Sequence, residues 1–308
     1  MVFENPGKMM KETIPDVLSF VTYPGIRLEY VKLAADYHVK GLLFEKPMAN
    51  SMEEAKEIDR MCRENNIKAV VCHQHKYLEN FQKLKETVES GKIGKITKVE
   101  ASCQSWASQI ATHYIDYILW VTNAKVKSVI GHIHGARFWE DNHPSTEYIL
   151  KEMILDNGIH ANLQCGYYAT AHNEHHVDYE KGDFTAEFWQ DCRLEVYGTK
   201  GYAWAECNGK FGTYNTSTDG QVAEEKYESL FEAVFTTQIP YAKELAEWME
   251  DDKKVHSCNV GKAYKGFQVF EAIYKSALDF KRIDMPYEEN ENLIGKMKVE
   301  GKECGRWN

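Results

Sequence analysis

The order of elements along the chain predicts an α/β protein: a partial parallel sheet wound with helices, followed by an α+β domain on a large, mainly antiparallel sheet. Three observations carry that expectation. The first third alternates short apolar runs with stretches of helical period. Beyond residue 76, strand-like runs follow one another with few helices between them, the pattern of an α+β unit. At the seam of one strand and the next helix, Glu45-Lys46-Pro47 sets a lysine against a proline, at the strand end where open α/β sheets gather ligands.

Taken in order, residues 16–22 are a short apolar run broken by Tyr23-Pro24-Gly25, a strand and its stop. Residues 26–38 carry apolar side chains at helical spacing and 39–44 form the next strand, completing one βαβ step. Asn50-Ser51-Met52-Glu53-Glu54 supplies a polar cap with early acids for a helix reaching about residue 65. Residues 67–72 are a third strand, running out at His73-Gln74-His75-Lys76-Tyr77. A helix over 80–90 closes at Gly91 and Gly94. Strand-like segments follow at 95–106, 126–134, 148–168, 193–197 and 202–206, interrupted by a helix over 109–120. Residues 241–250 and 262–280 read as amphipathic helices, and Met285-Pro286 breaks into a polar tail without a packing stripe. The expected division is therefore a parallel α/β part over 1–75, an α+β domain over 76–287, and a tail over 288–308.

Composition narrows the function. The chain has 308 residues, long enough for two cores, with 43% hydrophobic and 27% charged residues as in ordinary globular proteins. Its formal charge of -10 opposes a nucleic-acid surface, which needs a basic face. Eight cysteines (62, 72, 103, 165, 192, 207, 258 and 304) include no CxxC pair, which suits reduced thiols packed as small hydrophobes in a cytoplasmic protein. No signal-peptide region or long apolar span is visible, so no membrane anchoring is expected.

The chemistry converges on three polar groups. Lys46 ends one strand, and its own proline restricts its backbone. The run from His73 to Tyr77 ends the next strand. Gln109, His113 and Asp116 lie on the interrupting helix, where residues three or four apart share a face, so Gln109 and His113 can address one ligand and Asp116 can orient the imidazole. Histidine exchanges protons near neutral pH. Beside a cationic nicotinamide ring, Lys46 would have its charged form disfavoured and could join the proton transfer.

Thr22-Tyr23-Pro24-Gly25-Ile26-Arg27-Leu28-Glu29, Phe44-Glu45-Lys46-Pro47-Met48-Ala49, Ser90-Gly91-Lys92-Ile93-Gly94-Lys95-Ile96, Thr112-His113-Tyr114-Ile115-Asp116 and Glu271-Ala272-Ile273-Tyr274-Lys275-Ser276-Ala277 occur in that order. Together they closely resemble the glucose-fructose oxidoreductase, inositol dehydrogenase and MocA family (Gfo/Idh/MocA), from residue 16 to 286. The resemblance implies a Rossmann domain joined to an α+β domain whose open sheet face makes homo-oligomer contacts. It also implies hydride transfer between NAD or NADP and a sugar, polyol or related hydroxy compound. Lys46 would contact nicotinamide ribose and substrate across a cis bond to Pro47, and His113 would act as acid and base on the reacting hydroxyl. Thr22 and Pro24 would line the cofactor, Glu45 and Pro47 would shape the nicotinamide site, and His75 would approach nicotinamide and substrate. Tyr77 and Gln109 would join Lys46 and His113 on the substrate.

The sequence departs from the family pattern in three places. Gln109 stands where many dehydrogenases of the family have aspartate, and an amide cannot remove a proton. Arg27 replaces a histidine common after the first turn. No strand followed by GxGxxG and a ribose-binding acid precedes residue 16, so roughly two βα units of ~30 residues each are expected to be missing from the front. That absence keeps a second expectation open, a non-catalytic binding or scaffold subunit that has lost its cofactor. A third reading takes His172, His175, His176 and Asp178, or His132 and His134, as metal ligands. It is set aside because polar loops collect histidines without binding metal, so no metal is expected. Trp189 and Tyr168 are candidates for stacking on a sugar ring, with core packing the ordinary role for each.

Overall fold

The structure, a computed structural model, describes residues 1–135, 144–173, 177–178, 183–184 and 190–304. Helix α1 (Pro6–Thr13) opens with Asn5, whose side chain accepts from the Lys8 amide at 2.9 Å. Strands β1 (Val17–Phe20), β2 (Gly41–Phe44) and β3 (Lys68–Val71) form a three-stranded parallel sheet in that order. Between them run α2 (Arg27–Asp36) and α3 (Met52–Glu64). The register aligns Val17 with Gly41 and Gly41 with Lys68, so all three strands finish at one edge. Shared register is what brings Thr22, Lys46 and His73 to the same side of the molecule.

Local chemistry accounts for the helix starts. Ser51 caps α3 by accepting from the Glu54 amide at 3.2 Å, and the Glu54 carboxylate reaches back to the Asn50 amide at 3.0 Å, close to a capping box. Buried Met52, Ala55, Ile58 and Cys62 then recur every three or four residues and face the core.

Helix α4 (Glu79–Glu89) leads into the larger sheet. Its strands are β4 (Ile96–Cys103), β5 (Val126–His134), β6 (Tyr148–Leu155), β7 (His160–Gly166), β10 (Cys192–Gly198), β11 (Gly201–Glu206), β12 (Lys210–Asn215), β13 (Ala223–Lys226) and β14 (Ile283–Asp284). The two-residue strands β8 (Val177–Asp178) and β9 (Asp183–Phe184) pair separately. The order across the nine-stranded sheet is β13-β12-β11-β10-β4-β7-β6-β5-β14. Every pair is antiparallel except β4 with β7, a parallel pair at the centre. The run expected as one strand over 148–168 is two strands, because Asp156-Asn157-Gly158 turns the chain and Gly158 takes φ +83°.

Helix α5 (Ala107–Thr122) follows β4, and α6 (Gln238–Glu250) and α7 (Val260–Asp279) return after β13. Gly131 of β5 lets α7 lie close: a Cβ there would stand 2.7 Å from the Ile273 carbonyl oxygen. One apolar core runs through both sheets, joining Phe44 and Ile58 to Ile115, Leu163 and Phe267. Each such side chain, fully buried, contributes about 1.5–3 kcal/mol. The tail expected to lack a packing stripe instead forms α8 (Leu293–Cys304), whose Leu293 and Met297 join that core. Seven cysteines are buried free thiols, and no helix among the described residues is long and apolar enough to cross a membrane.

Candidate active site

At the edge where the parallel strands end, the Lys46-Pro47 peptide is cis. Arg27, 2% exposed, donates from Nη2 to the Thr22 carbonyl at 2.7 Å and to the Lys46 carbonyl at 3.3 Å. It therefore ties the turn after β1 to the turn after β2. Burial lowers its pKa to about 10, against the opposing pull of Glu45. Glu45 is also the charge nearest in effect to Lys46, whose ammonium burial pushes below its ordinary value although Glu45 partly restores it. Pro24 and Pro47 are buried beside these turns, and the Thr22 hydroxyl is buried without a hydrogen-bond partner among the described residues.

The lysine reaches across to the second sheet's helix. Lys46 Nζ donates to Gln109 Oε1 at 3.2 Å, and one turn further along α5 lies His113. The His113 ring stacks on His75 with centroids 4.6 Å apart and planes 16° apart, and His73 tilts against it at 5.0 Å. His113 Nδ1 lies 2.7 Å from Tyr117 Oη, which also accepts from the His75 amide at 3.2 Å. A tyrosine hydroxyl can donate to Nδ1 when Nε2 carries the proton, or accept from Nδ1–H when Nε2 is bare. Burial, then the neighbouring His75, His73, Lys46 and Lys76, hold His113 well below its ordinary pKa, so it is neutral near pH 7.

Beneath this ring stack lies an ion pair. Lys76, 1% exposed, meets Asp116 Oδ2 at 2.6 Å and donates to the Ser257 carbonyl at 3.1 Å, while His73 Nδ1 lies 3.5 Å from the same carboxylate. Burial alone would raise the Asp116 pKa, but Lys76 and His73 outweigh it and bring the group to about 2. Burial likewise disfavours the Lys76 ammonium, yet Asp116 leaves its pKa raised.

Thus Lys46, Gln109, His113 and His75 come together, with Thr22, Pro24, Glu45 and Pro47 along one rim. Tyr77 does not join them: its hydroxyl bonds Glu244, and Ser257 Oγ at 2.9 Å, on the side of α6. The expectation that Asp116 orients His113 is also corrected. Asp116 is captured by Lys76, and Tyr117, four residues on from His113, holds Nδ1 instead. Sequence reading passed over Lys76, Tyr117 and the Arg27 clamp. Tyr117 had a usable signal, its i+4 spacing from His113.

The histidine loop takes a different shape. His172 Nε2 lies 2.5 Å from Ser102 Oγ and its amide donates to Asp191. His175, His176 and Trp189 lie outside the described residues, as does the Asp178 side chain. His132 and His134 stand on the exposed face of β5, and among the described residues no three metal-type ligands converge. Tyr168 is 55% exposed against His134, which corrects its expected place in the core.

Residues 107–204, which hold α5 and its Gln109 and His113, match the family model described as the GFO/IDH/MocA C-terminal domain. A search of curated proteins finds no match to the sequence. Among solved structures, an oxidoreductase from Agrobacterium radiobacter in complex with NAD+, L-tartaric acid and magnesium superposes with TM-score 0.70 at 15% identity, over 92% of this chain and 81% of that one. An aldose-aldose oxidoreductase from Caulobacter crescentus complexed with glycerol gives 0.69 at 15%, over 91% and 82%. A super-repressor mutant of Gal80p from Saccharomyces cerevisiae gives 0.72 at 14%, over 92% and 83%. This chain carries a GFO/IDH/MocA C-terminal domain, on the fold of the Gfo/Idh/MocA oxidoreductases.

Proposed function

We propose that the chain is an NAD(P)-dependent oxidoreductase that moves a hydride between a nicotinamide and the carbinol carbon of a sugar, polyol or related hydroxy compound. One observation carries this reading: Lys46 at a parallel-strand end meets α5 through Gln109, one turn from a buried neutral His113. An ammonium with a lowered pKa beside a neutral imidazole can hold an alcohol oxygen and exchange its proton. Tyr117 fixes the His113 ring through Nδ1, which leaves Nε2 for the substrate. Gln109 orients Lys46 and hydrogen-bonds the substrate but takes no proton.

The residues at the strand ends suit a nicotinamide ribose. Among the described residues the buried Thr22 hydroxyl and two Arg27 nitrogens, Nε and Nη1, have no partner, and Lys46 lies at the same edge. When bound, the nicotinamide supplies or accepts the hydride. Thr22, Pro24, Glu45, Lys46, Pro47 and His75 would hold that end of it, within a partial dinucleotide-binding domain over 1–75. The oxidoreductases named above, crystallised with NAD+ and tartaric acid or with glycerol, support a nicotinamide cofactor and a polyhydroxy substrate. The substrate domain would extend over 76–287, its open sheet face joining copies of the chain in a cytoplasmic homo-oligomer.

One other reading is a non-catalytic binding subunit, since a super-repressor mutant of Gal80p shares this fold. A screen of sugars and polyols with both cofactors separates the two, run on the chain with any in-frame coding sequence that precedes Met1. The enzyme reading expects turnover that falls about 10²–10⁴-fold in His113→Ala and in Lys46→Ala with melting temperature held. Absence of both turnover and a nicotinamide-dependent thermal shift would leave the binding subunit.

A further inference from the structure

Behind the lysine turn lies a cavity of about 510 Å³, within the range of small-molecule sites. One wall is the segment 47–53; the opposite wall is α7, through Phe267, Phe270, Glu271 and Tyr274, and the start of α8 closes one end. Neither Lys46 nor His113 lines it.

Glu271 sets this cavity apart. It is 6% exposed and faces the space, and among the described residues no hydrogen bond or ion pair reaches its carboxylate. Every other buried carboxylate among the described residues has a partner: Lys76 for Asp116, the His172 and Asn173 amides for Asp191, and Arg193 for Glu206. A buried carboxylate is stable as an anion only when paired, and burial alone pushes Glu271 up to about 8. Beside it, Phe270 packs against Phe267 at 6.2 Å and Tyr274 at 4.8 Å, forming an aromatic wall whose faces attract cations. A bare metal ion would find one buried carboxylate and no convergent set of ligands.

We propose that this cavity binds a small molecule bearing a primary ammonium group, which pairs with Glu271 while its carbon frame rests on Phe267, Phe270 and Tyr274. The site stands independently of the oxidoreductase reading. Because Pro47 and the α3 cap Ser51 line it, an occupant braces the segment that follows Lys46.

The probes are 2-phenylethylamine and its neutral counterpart 2-phenylethanol, titrated by calorimetry into the full chain. The amine is expected to bind at least about tenfold more tightly than the alcohol, and Glu271→Gln is expected to erase that difference. Equal affinities, no binding of the amine, or a difference retained in Glu271→Gln would each overturn the proposal. If that variant does not fold, the wild type decides alone. The amine must ionise Glu271, so binding should release a proton, and affinity should rise by up to about tenfold per pH unit below pH 8 and then level off. A flat profile overturns the proposal. Among the described residues the titratable groups sharing this cavity with Glu271 are Glu53 at the start of α3, Tyr274 on α7, and Glu291 and Lys298 around α8, and the Tyr287 hydroxyl feels its charge from outside the lining.

Discussion

The turns after β2 and β3 each carry a lysine into the interior, and they treat it in opposite ways. Lys76 is met by the carboxylate of Asp116 and by the Ser257 carbonyl, and its ammonium is stabilised. Lys46 is met by the neutral amide of Gln109, and its ammonium is disfavoured. Both amines come from the same edge of one sheet and both address α5. A lysine with a counter-ion inside the protein is a structural pin; a lysine held by an amide keeps its charge available to a ligand. Under the proposed function, the difference in the side-chain partner, Asp116 against Gln109, separates scaffold from chemistry.

The sharpest way to break this comparison is Asp116→Asn. It leaves Lys76 buried without a counter-ion and should cost about 3–5 kcal/mol in urea denaturation. A loss under ~1 kcal/mol would show that Lys76 is no pin. The converse change, Gln109→Asp, gives Lys46 a carboxylate and should raise its pKa by about 1–3 units, read as a displaced limb in the pH dependence of kcat/KM. An unmoved profile would detach Lys46 from the proton transfer.

Alkaline stability provides the next test. The Lys76 pKa is raised on folding, so its contribution is full below about 10.5 and is lost as pH rises through the folded value. The Lys46 pKa is lowered, so its penalty for burial is relieved as pH rises. The stability difference between wild type and Lys76→Met should therefore shrink above pH 10.5, while that between wild type and Lys46→Met should move in favour of wild type as pH rises toward 10.5 and level off there, each by at most about 1.4 kcal/mol per pH unit. Parallel slopes would erase the distinction. On turnover the smallest effect belongs to Tyr77→Phe: because Tyr77 bonds Glu244 and Ser257, kcat/KM should stay within about threefold of wild type, about 0.7 kcal/mol. A larger fall would bring Tyr77 back to the substrate.

The sequence made one part of this arrangement readable and hid another. Apolar runs with breakers located β1 to β3, and parallel register then required Thr22, Lys46 and His73 to share an edge. Helical spacing placed Gln109 and His113 on one face. Spacing cannot say how a helix is rotated against its neighbours, so it could not assign Asp116 to Lys76 rather than to His113, nor send Tyr77 toward α6. The parallel pairing of β4 with β7 was hidden for the same reason: each strand reads alike whichever neighbour lies beside it. The turn Asp156-Asn157-Gly158 was readable, and it was passed over because apolar residues continue on both sides.

Under the proposed function, the Arg27 clamp bears on how a substrate gets in. Since one buried guanidinium donates to the carbonyls of two turns, parting them would strand a desolvated cation. Those turns behave as one rigid jamb. In the proposed enzyme, admission and release of ligands therefore fall to the other side of the doorway, where Gln109 of α5 meets Lys46 through an amide contact that water can replace.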